Sequence, residues 1–279
     1  MRPAGFVTIA RPVNCFAAGL AAIVAYLIAT GTVIPAVIIL FLVVFLVTAA
    51  GNVINDYFDV AIDRVNRPDR PIPSGQVTPG AARAWAAILF LTGIIACLPT
   101  NILCIAIAVF NAGLLMAYAA RLKRTPLFGN IAVSYLSGSM FLFGGALAGI
   151  DGIIRVLPFA VMTFFAMLAR ELVKDAEDVD GDRASGASTI PIRYGIRATA
   201  FFALACGILG TAASLVPFFR WGPAYIAGIL VVDAILIAAC VRAIACTTPA
   251  MVKESGASTL LKAGMFASLV VFTLAALFL

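Results

Sequence analysis

Two nine-residue segments of the sequence place carboxylates and an arginine in the same order. DYFDVAIDR covers residues 56–64 and DAEDVDGDR covers residues 175–183, and each follows a long apolar run. On a helix, side chains three or four residues apart share one face, so each segment predicts a row of acidic groups. Like charges at this spacing repel, and a cation is therefore expected beside each row.

A divalent metal with a polyanionic ligand explains the repeated pattern better than a solvated acidic loop. Clustered carboxylates suit Mg²⁺, which binds a few protein oxygens and completes its octahedron with water and phosphate. A calcium loop of the EF-hand type is excluded, because counting from Asp178 puts Arg183 and Thr189 where that loop needs Gly and Glu.

Basic residues accompany both acidic segments and form a third cluster elsewhere. They are Arg64, Arg67 and Arg70 after the first segment, Lys174 and Arg183 around the second, and Arg121, Lys123 and Arg124 in between. Carboxylates, a metal ion and flanking guanidinium or ammonium groups together form the cradle expected for a diphosphate.

The elements that carry these segments must cross a membrane. Of the 279 residues, 63% are hydrophobic and only 11% are charged, and the mean hydropathy is +1.10. Soluble domains carry roughly a quarter charged residues. We therefore expect an all-α, polytopic membrane protein, in which the net charge of +6 reports topology and gives no reason to expect a nucleic-acid partner. With no His and no C-x-x-C pair, a zinc or haem site has no support.

Apolar runs between helix breakers predict nine transmembrane helices in one domain, residues 1–279. All but two of the 19 Lys and Arg fall on one side of this arrangement. We therefore expect a protein of the cell membrane with that side facing the cytoplasm. The bundle is expected to surround a central cavity that opens there, beside active-site loops at about 55–79 and 175–196. The predicted spans are 12–31, 33–54, 80–98, 101–119, 127–149, 156–174, 197–217, 222–244 and 257–279.

The paired motifs resemble those of the UbiA superfamily of intramembrane prenyltransferases. N-D-x-x-D-x-x-x-D begins at Asn55 and D-x-x-D-x-x-x-D begins at Asp175. The likeness covers the full chain and includes an early R-P-x-N from Arg11 to Asn14 and a basic Y-x-x-x-x-K-R from Tyr118 to Arg124. It implies a Mg²⁺-dependent enzyme that binds a polyprenyl diphosphate, transfers the prenyl group to an acceptor, and holds the lipid tail in the bundle or in the surrounding membrane lipid.

The resemblance also implies residue roles. The catalytic carboxylates are Asp59, Asp63, Asp178 and Asp182. Metal ligands are these four together with Asn55 and Asp175, whereas Asp56, like Asp175, could instead support its helix. Diphosphate binding is expected from Arg64, Lys123, Arg124 and Lys174.

The acceptor remains open at this point. Residues 66–75 (NRPDRPIPSG) and 188–195 (STIPIRYG) resemble the ether-lipid branch of the superfamily. This implies transfer from geranylgeranyl diphosphate to the free hydroxyl of geranylgeranylglyceryl phosphate. An aromatic quinone precursor is the alternative acceptor, and a cation-coupled transporter is the alternative from another class. Acceptor-binding candidates are Arg11, Asn14, Arg67, Arg70 and Arg193.

Asp233 lies in the middle of an apolar run, where a carboxylate is costly and suggests a function by default. No motif surrounds it. We therefore predict a structural hydrogen bond to a neighbouring helix.

Overall fold

The structure, a computed structural model, describes residues 3–184 and 186–279, and of these it leaves the side chains of Val65 and Asn66 undescribed. Ser185 of the predicted loop 175–196 and the side chain of Asn66 in the run 66–75 thus lie outside it. Every regular element in the described ranges is helical, which confirms the all-α prediction.

Fourteen α-helices follow one another in the described residues, together with one short 3₁₀ turn, Leu122–Arg124, between the sixth and the seventh. They are α1 (Pro3–Ala10), α2 (Pro12–Thr30), α3 (Val37–Phe58), α4 (Val60–Asn66), α5 (Pro79–Cys97), α6 (Ile102–Ala120), α7 (Phe128–Ala146), α8 (Ile150–Glu177), α9 (Val179–Ala184), α10 (Ile190–Tyr194), α11 (Ile196–Ser214), α12 (Phe218–Ile244), α13 (Pro249–Ser255) and α14 (Ala257–Phe278).

The chain divides into two compact units, the first comprising residues 1–121 with 140–154 and the second residues 122–139 with 155–279. The prediction of a single domain stays a prediction. In the first unit α3 is central, because it packs against α2, α5 and α6. Gly144 lets α7 approach α2 closely, since a Cβ at this position would overlap the Ala22 carbonyl oxygen.

In the second unit α12 packs against both α11 and α14. This helix is kinked near its start, where Gly222 has φ +66° and Pro223 follows. Proline removes a backbone donor, and glycine alone adopts such a backbone without strain, so the pair accounts for the bend.

Eight of the described helices are long and apolar enough to cross a membrane, in keeping with a multi-pass membrane protein. The predicted span 127–149 corresponds to α7, which is not among the eight; it carries Asn130, Ser134, Ser137 and Ser139, which lower its hydropathy. The count of nine crossings therefore stays a prediction.

The structure differs from the predicted spans most at α8, and it adds short helices to the predicted loops. The span predicted at 156–174 begins earlier, at Ile150, directly after Gly149, so that Pro158 lies inside α8. Neighbouring helices can compensate a proline inside a membrane helix. The predicted loops also contain short helices, α4 in the first and α9 and α10 in the second, which are too short to give an apolar period.

Candidate functional site

Both aspartate motifs have the same backbone geometry. The long helix ends just before the middle aspartate, Asp59 or Asp178, and a short helix starts just after it. Hydrogen bonds between residues four apart continue through the break, from the Asp59 N–H to the Asn55 carbonyl and from the Asp178 N–H to the Lys174 carbonyl. The acidic groups of each motif therefore keep the helical spacing that the sequence predicts.

In the first motif, two arginines neutralise the first and last aspartates. Asp56 and Asp63 are buried, with 4% and 5% of their surfaces exposed. Arg70 Nη1 donates to Asp63 Oδ2 at 2.6 Å and to Asp56 Oδ1 at 3.0 Å, and Arg11 Nη2 donates to the same oxygen of Asp56. Buried carboxylates need such partners, because an unpaired charge in this environment is strongly unfavourable.

A second polar residue of α3, Asn52, contacts the break between α1 and α2. Asn52, one turn before Asp56, donates from Nδ2 to the Ala10 carbonyl at 2.9 Å. Arg11, the next residue, has φ +54°, a left-handed backbone that is uncommon outside glycine and persists only where surrounding contacts enforce it. Sequence reasoning identified Arg11 and missed Asn52, whose only signal is a polar side chain in an apolar run.

The middle of the first motif is more open. Asp59 is partly exposed, and its Oδ2 accepts a hydrogen bond from Asn55 Nδ2 at 3.0 Å. These two predicted metal ligands thus lie side by side. The structure brings Arg11 and Arg70 into contact with the first motif. Three other predicted residues, Asn14, Arg64 and Arg67, have exposed side chains.

In the second motif, an amide supports the first aspartate instead of a guanidinium. Asn130, a buried residue of α7, donates from Nδ2 to Asp175 Oδ2 at 2.8 Å. Sequence reasoning did not find Asn130, although a lone asparagine in an apolar helix was a usable signal. Asp175 thus contacts a neighbouring helix, and its predicted roles as metal ligand or as support for its helix stay predictions.

The other two aspartates of the second motif differ in exposure. Asp178 is exposed, whereas Asp182 is partly buried. Burial raises the pKa of the Asp182 carboxyl above its ordinary value, and the nearby carboxylate of Asp178 raises it further. The ammonium group of Lys174 acts in the opposite direction and lowers the pKa of Asp182, but the effect of burial is larger.

A serine brings two of the predicted basic residues together in the second unit. The Ser188 N–H donates to the Arg124 carbonyl at 3.3 Å, and Arg193 Nε donates to Ser188 Oγ at 2.8 Å. Arg124 was predicted to bind diphosphate and Arg193 the acceptor, and both side chains are exposed. Lys123 and Lys174 are partly buried, the latter on α8 one turn before Asp178.

The oxygen donors of the two motifs fit Mg²⁺ if water and substrate phosphate complete its coordination. Within residues 3–184 and 186–279, no three acidic, His or Cys side chains lie close enough to hold a metal ion by themselves. Each motif nevertheless offers hard oxygen donors, Asn55 and Asp59 in the first and Asp178 and Asp182 in the second. Mg²⁺ usually binds through one or two carboxylates together with water and substrate phosphate, and the residues present suit this mode.

Asp233 belongs to neither motif. It is 6% exposed, and Ser214 of α11 donates from Oγ to Asp233 Oδ2 at 2.6 Å. The predicted structural hydrogen bond to a neighbouring helix is confirmed.

Comparison with known proteins gives consistent results at the levels of sequence and fold. Residues 18–270 match the UbiA prenyltransferase family. A digeranylgeranylglyceryl phosphate synthase of Methanoregula boonei is 60% identical over 275 residues, which cover 99% of each chain. A second one, from Methanoculleus marisnigri, is 55% identical over 277 residues and also covers 99% of each chain.

Solved structures extend this similarity to three dimensions. A structure of digeranylgeranylglyceryl phosphate synthase aligns with a TM-score of 0.83 at 34% identity, covering 99% of this chain and 98% of the other. A UbiA homolog from Archaeoglobus fulgidus bound to GPP and Mg²⁺ aligns with a TM-score of 0.62, over 95% of this chain and 99% of the other. At 16% identity, the latter shows a shared fold.

Proposed function

The chain belongs to the UbiA prenyltransferase family, and we propose that it transfers a geranylgeranyl group from geranylgeranyl diphosphate to the free hydroxyl of geranylgeranylglyceryl phosphate. The family makes it an enzyme, which removes the transporter alternative. In the proposed reaction the acceptor oxygen forms an ether bond to C1 of the prenyl group. The bond from C1 to the diphosphate oxygen breaks, diphosphate leaves, and the hydroxyl proton is released.

The observation that carries the proposal is the combination of two acidic motifs with full-length similarity to synthases of digeranylgeranylglyceryl phosphate. Full-length coverage supports the ether-lipid acceptor over the aromatic quinone precursor, because both motifs and both flanking runs lie inside the matched residues. We place the enzyme in the cell membrane with both motifs toward the cytoplasm, since the basic residues concentrate on that side.

Each motif would hold Mg²⁺ through its oxygen donors, and a diphosphate is the kind of ligand that such a metal ion binds. The proposed protein ligands are Asn55, Asp59, Asp63, Asp175, Asp178 and Asp182. When bound, Mg²⁺ neutralises the diphosphate and makes it a better leaving group. Asp59 and Asp178 are the best placed, because they are the more exposed members at the two helix breaks.

The basic residues have the complementary task of binding phosphate oxygens. Arg64, Lys123, Arg124 and Lys174 are the proposed contacts of the donor diphosphate, because charge-assisted hydrogen bonds strengthen as negative charge develops on the leaving group. Arg11, Asn14, Arg67, Arg70 and Arg193 are the proposed acceptor contacts. Donor and acceptor each carry phosphate, which accounts for the need for so many cations.

An assay with defined acceptors tests the proposal. Purified full-length protein would be incubated in detergent with labelled geranylgeranyl diphosphate, Mg²⁺ and one acceptor at a time. We expect product with geranylgeranylglyceryl phosphate and none with hydroxybenzoate or a naphthoate. Product with an aromatic acceptor alone would refute the ether-lipid assignment and leave the family assignment intact.

A further inference from the structure

Arg170 and Glu171 form a charged pair in α8 to which neither motif has given a role. Arg170 Nη1 donates to Glu171 Oε1 at 2.6 Å, and the two side chains are 21% and 14% exposed. Because α8 is one of the helices that are long and apolar enough to cross a membrane, its charged groups are expected to face the bundle interior or a water-filled cavity. Charges are costly in this environment, so the pair calls for a functional explanation.

Glu171 shares a face of α8 with the first aspartate of the second motif. It precedes Asp175 by four residues, which correspond to about one turn or 6 Å along the helix axis. The two carboxylates are close enough for their charges to interact. Asp175 accepts its hydrogen bond from Asn130 of α7, so this face of α8 is turned toward α7 at that point. Glu171 is therefore the next acidic group beyond the motif, on the side of the apolar span.

Each member of the pair keeps a polar atom that the protein does not use. Among the described residues only Arg170 donates to Glu171, and it does so at Oε1, which leaves Oε2 able to accept a hydrogen. The Nε–H of Arg170 is buried and has no acceptor in the described part of the chain. Buried polar groups without a partner are rare, and a binding or catalytic role is one explanation for them. Glu171 Oε2 is thus an acceptor for a group that brings its own hydrogen.

The proposed reaction needs a proton acceptor that is not a metal ligand. The acceptor lipid reacts through a hydroxyl group, whose hydrogen must be removed as its oxygen bonds to C1 of the prenyl group. A carboxylate bound to Mg²⁺ is a poor base, because the cation favours its ionised form. The apolar prenyl chain would extend from the diphosphate into the bundle, so that C1 would lie on the same side of the second motif as Glu171.

From these observations we propose that Glu171 is the general base that removes the hydroxyl proton of the acceptor lipid. The inference rests on the function proposed above. As the hydroxyl oxygen forms its bond to C1, the bond from C1 to the diphosphate oxygen breaks and diphosphate leaves with the electron pair. The proton passes to Glu171 Oε2 and is later released to water. Because the base acts on the acceptor alone, it is not needed for cleavage of the donor.

An isotope-exchange assay separates the base from the donor site. Purified full-length protein in detergent is given Mg²⁺, geranylgeranylglyceryl phosphate, and geranylgeranyl diphosphate that carries oxygen-18 in the bridge between C1 and phosphorus. Each cleavage and re-formation of the bond from C1 to this oxygen moves the label to a non-bridging position, whereas ether formation consumes the donor. We expect Glu171→Gln to lower ether formation by about 10²- to 10³-fold and to retain the exchange, because only the attack of the hydroxyl needs the base.

Three further variants make the result specific to Glu171. Glu177→Gln is the matched control, since it removes the same charge from the last residue of α8, where the carboxylate accepts a hydrogen bond from Ser258. Both rates should stay within about twofold of the wild type in this variant. Asp178→Ala should lose exchange and ether formation together, as expected of a metal ligand. Glu171→Asp keeps the charge beside Arg170, and its shorter side chain should lower ether formation about 10- to 100-fold while the exchange continues.

The base is refuted if Glu171→Gln forms the ether at the rate of the wild type. If Glu171→Gln loses both activities, through misfolding or through loss of the donor, Glu171→Asp decides the matter. Unchanged ether formation in Glu171→Asp, or a loss of exchange that parallels the loss of ether, would overturn the proposal. A wild type that makes no product from geranylgeranylglyceryl phosphate would refute the proposed function and this inference with it, whereas product formation by both the wild type and Glu171→Gln would remove the base alone.

Discussion

In the first motif, Asp56 and Asp63 share one guanidinium group and Asp56 contacts a second, whereas in the second motif Asp175 accepts from the amide of Asn130. The motifs have equal spacing and equal helix breaks, so the difference lies in the partners that the rest of the fold supplies. Two carboxylates of the first motif are already balanced by cations. In the second motif the amide of Asn130 carries no charge, and burial together with the neighbouring Asp178 carboxylate raises the pKa of Asp182.

This difference indicates a division of tasks within each triplet. The first aspartate is buried or bound by a neighbour and fixes the helix end. The middle aspartate lies at the break and is the most available to a ligand. The third depends on its surroundings, since Arg70 donates to Asp63, whereas burial and then the Asp178 carboxylate raise the pKa of Asp182.

The largest expected effect concerns the middle positions, where the two motifs should behave alike. Asp59→Ala and Asp178→Ala should each lower kcat by about 10³-fold, because each removes an oxygen donor for Mg²⁺ from an exposed position. Diphosphate release under saturating substrate measures this. Asp69→Ala and Asp180→Ala are matched controls, because each removes an exposed carboxylate that is not one of the repeated aspartates. Near-normal activity in either test variant, with the helical content intact, would remove the metal role of that motif.

A smaller loss of activity is expected where an amide supports a carboxylate. Asn130→Ala removes the hydrogen bond to Asp175 and should lower kcat about 10-fold, because support of a ligating carboxylate typically has this effect. The same assay on Ser137→Ala provides the control, since that hydroxyl on α7 donates to the carbonyl of Val133 in its own helix. Equal activity of the Asn130 and Ser137 variants would show that Asp175 needs no support.

Replacing the third aspartate of each motif, Asp63 or Asp182, by Asn should change the thermal stability in opposite directions. In the absence of divalent cations at neutral pH, Asp63→Asn should lower the free energy of unfolding by about 1–3 kcal/mol, because it breaks the buried pair with Arg70. Asp182→Asn should instead raise Tm, by about 2 °C. Melting curves of detergent-solubilised protein test both.

The pH dependence follows from the raised pKa of Asp182. A carboxyl with a raised pKa in the folded state stabilises that state at low pH, and this stabilisation is lost as the pH rises through the folded-state value. Replacement by Asn should therefore help at neutral pH, and the advantage should vanish as the pH falls toward the ordinary pKa of Asp. A constant Tm difference across this range, or a destabilised Asp182→Asn, would contradict the proposed cause.

The sequence predicted the parts that depend on local pattern. Apolar runs and the two aspartate repeats sufficed for the helical class and for the spacing of the motif residues. Arg11 and Arg70 were named as acceptor-binding candidates, a role that stays a prediction, and the structure shows their contacts with the first motif. Partners from distant elements could not be found in this way. Asn130 and Asn52 became visible only through contacts with residues 45 and 42 positions away, and the short helices around the motifs have no apolar period.

The smallest effect is expected at Asp233, a third buried acidic position that lies outside both motifs. The Ser214 hydroxyl has one hydrogen and two oxygens within reach, Asp233 Oδ2 at 2.6 Å and the Thr211 carbonyl at 2.8 Å. Asparagine can donate from Nδ2 to Ser214 Oγ, which frees the serine hydrogen for Thr211. Asp233→Asn should accordingly keep kcat within about twofold and leave Tm unchanged or slightly raised. Ser214→Ala, which removes the shared hydroxyl, should lower Tm without a change in kcat. Loss of turnover in a folded Asp233→Asn protein would mean that the acidic chemistry extends beyond the two motifs, and the comparison between them would then need a third member.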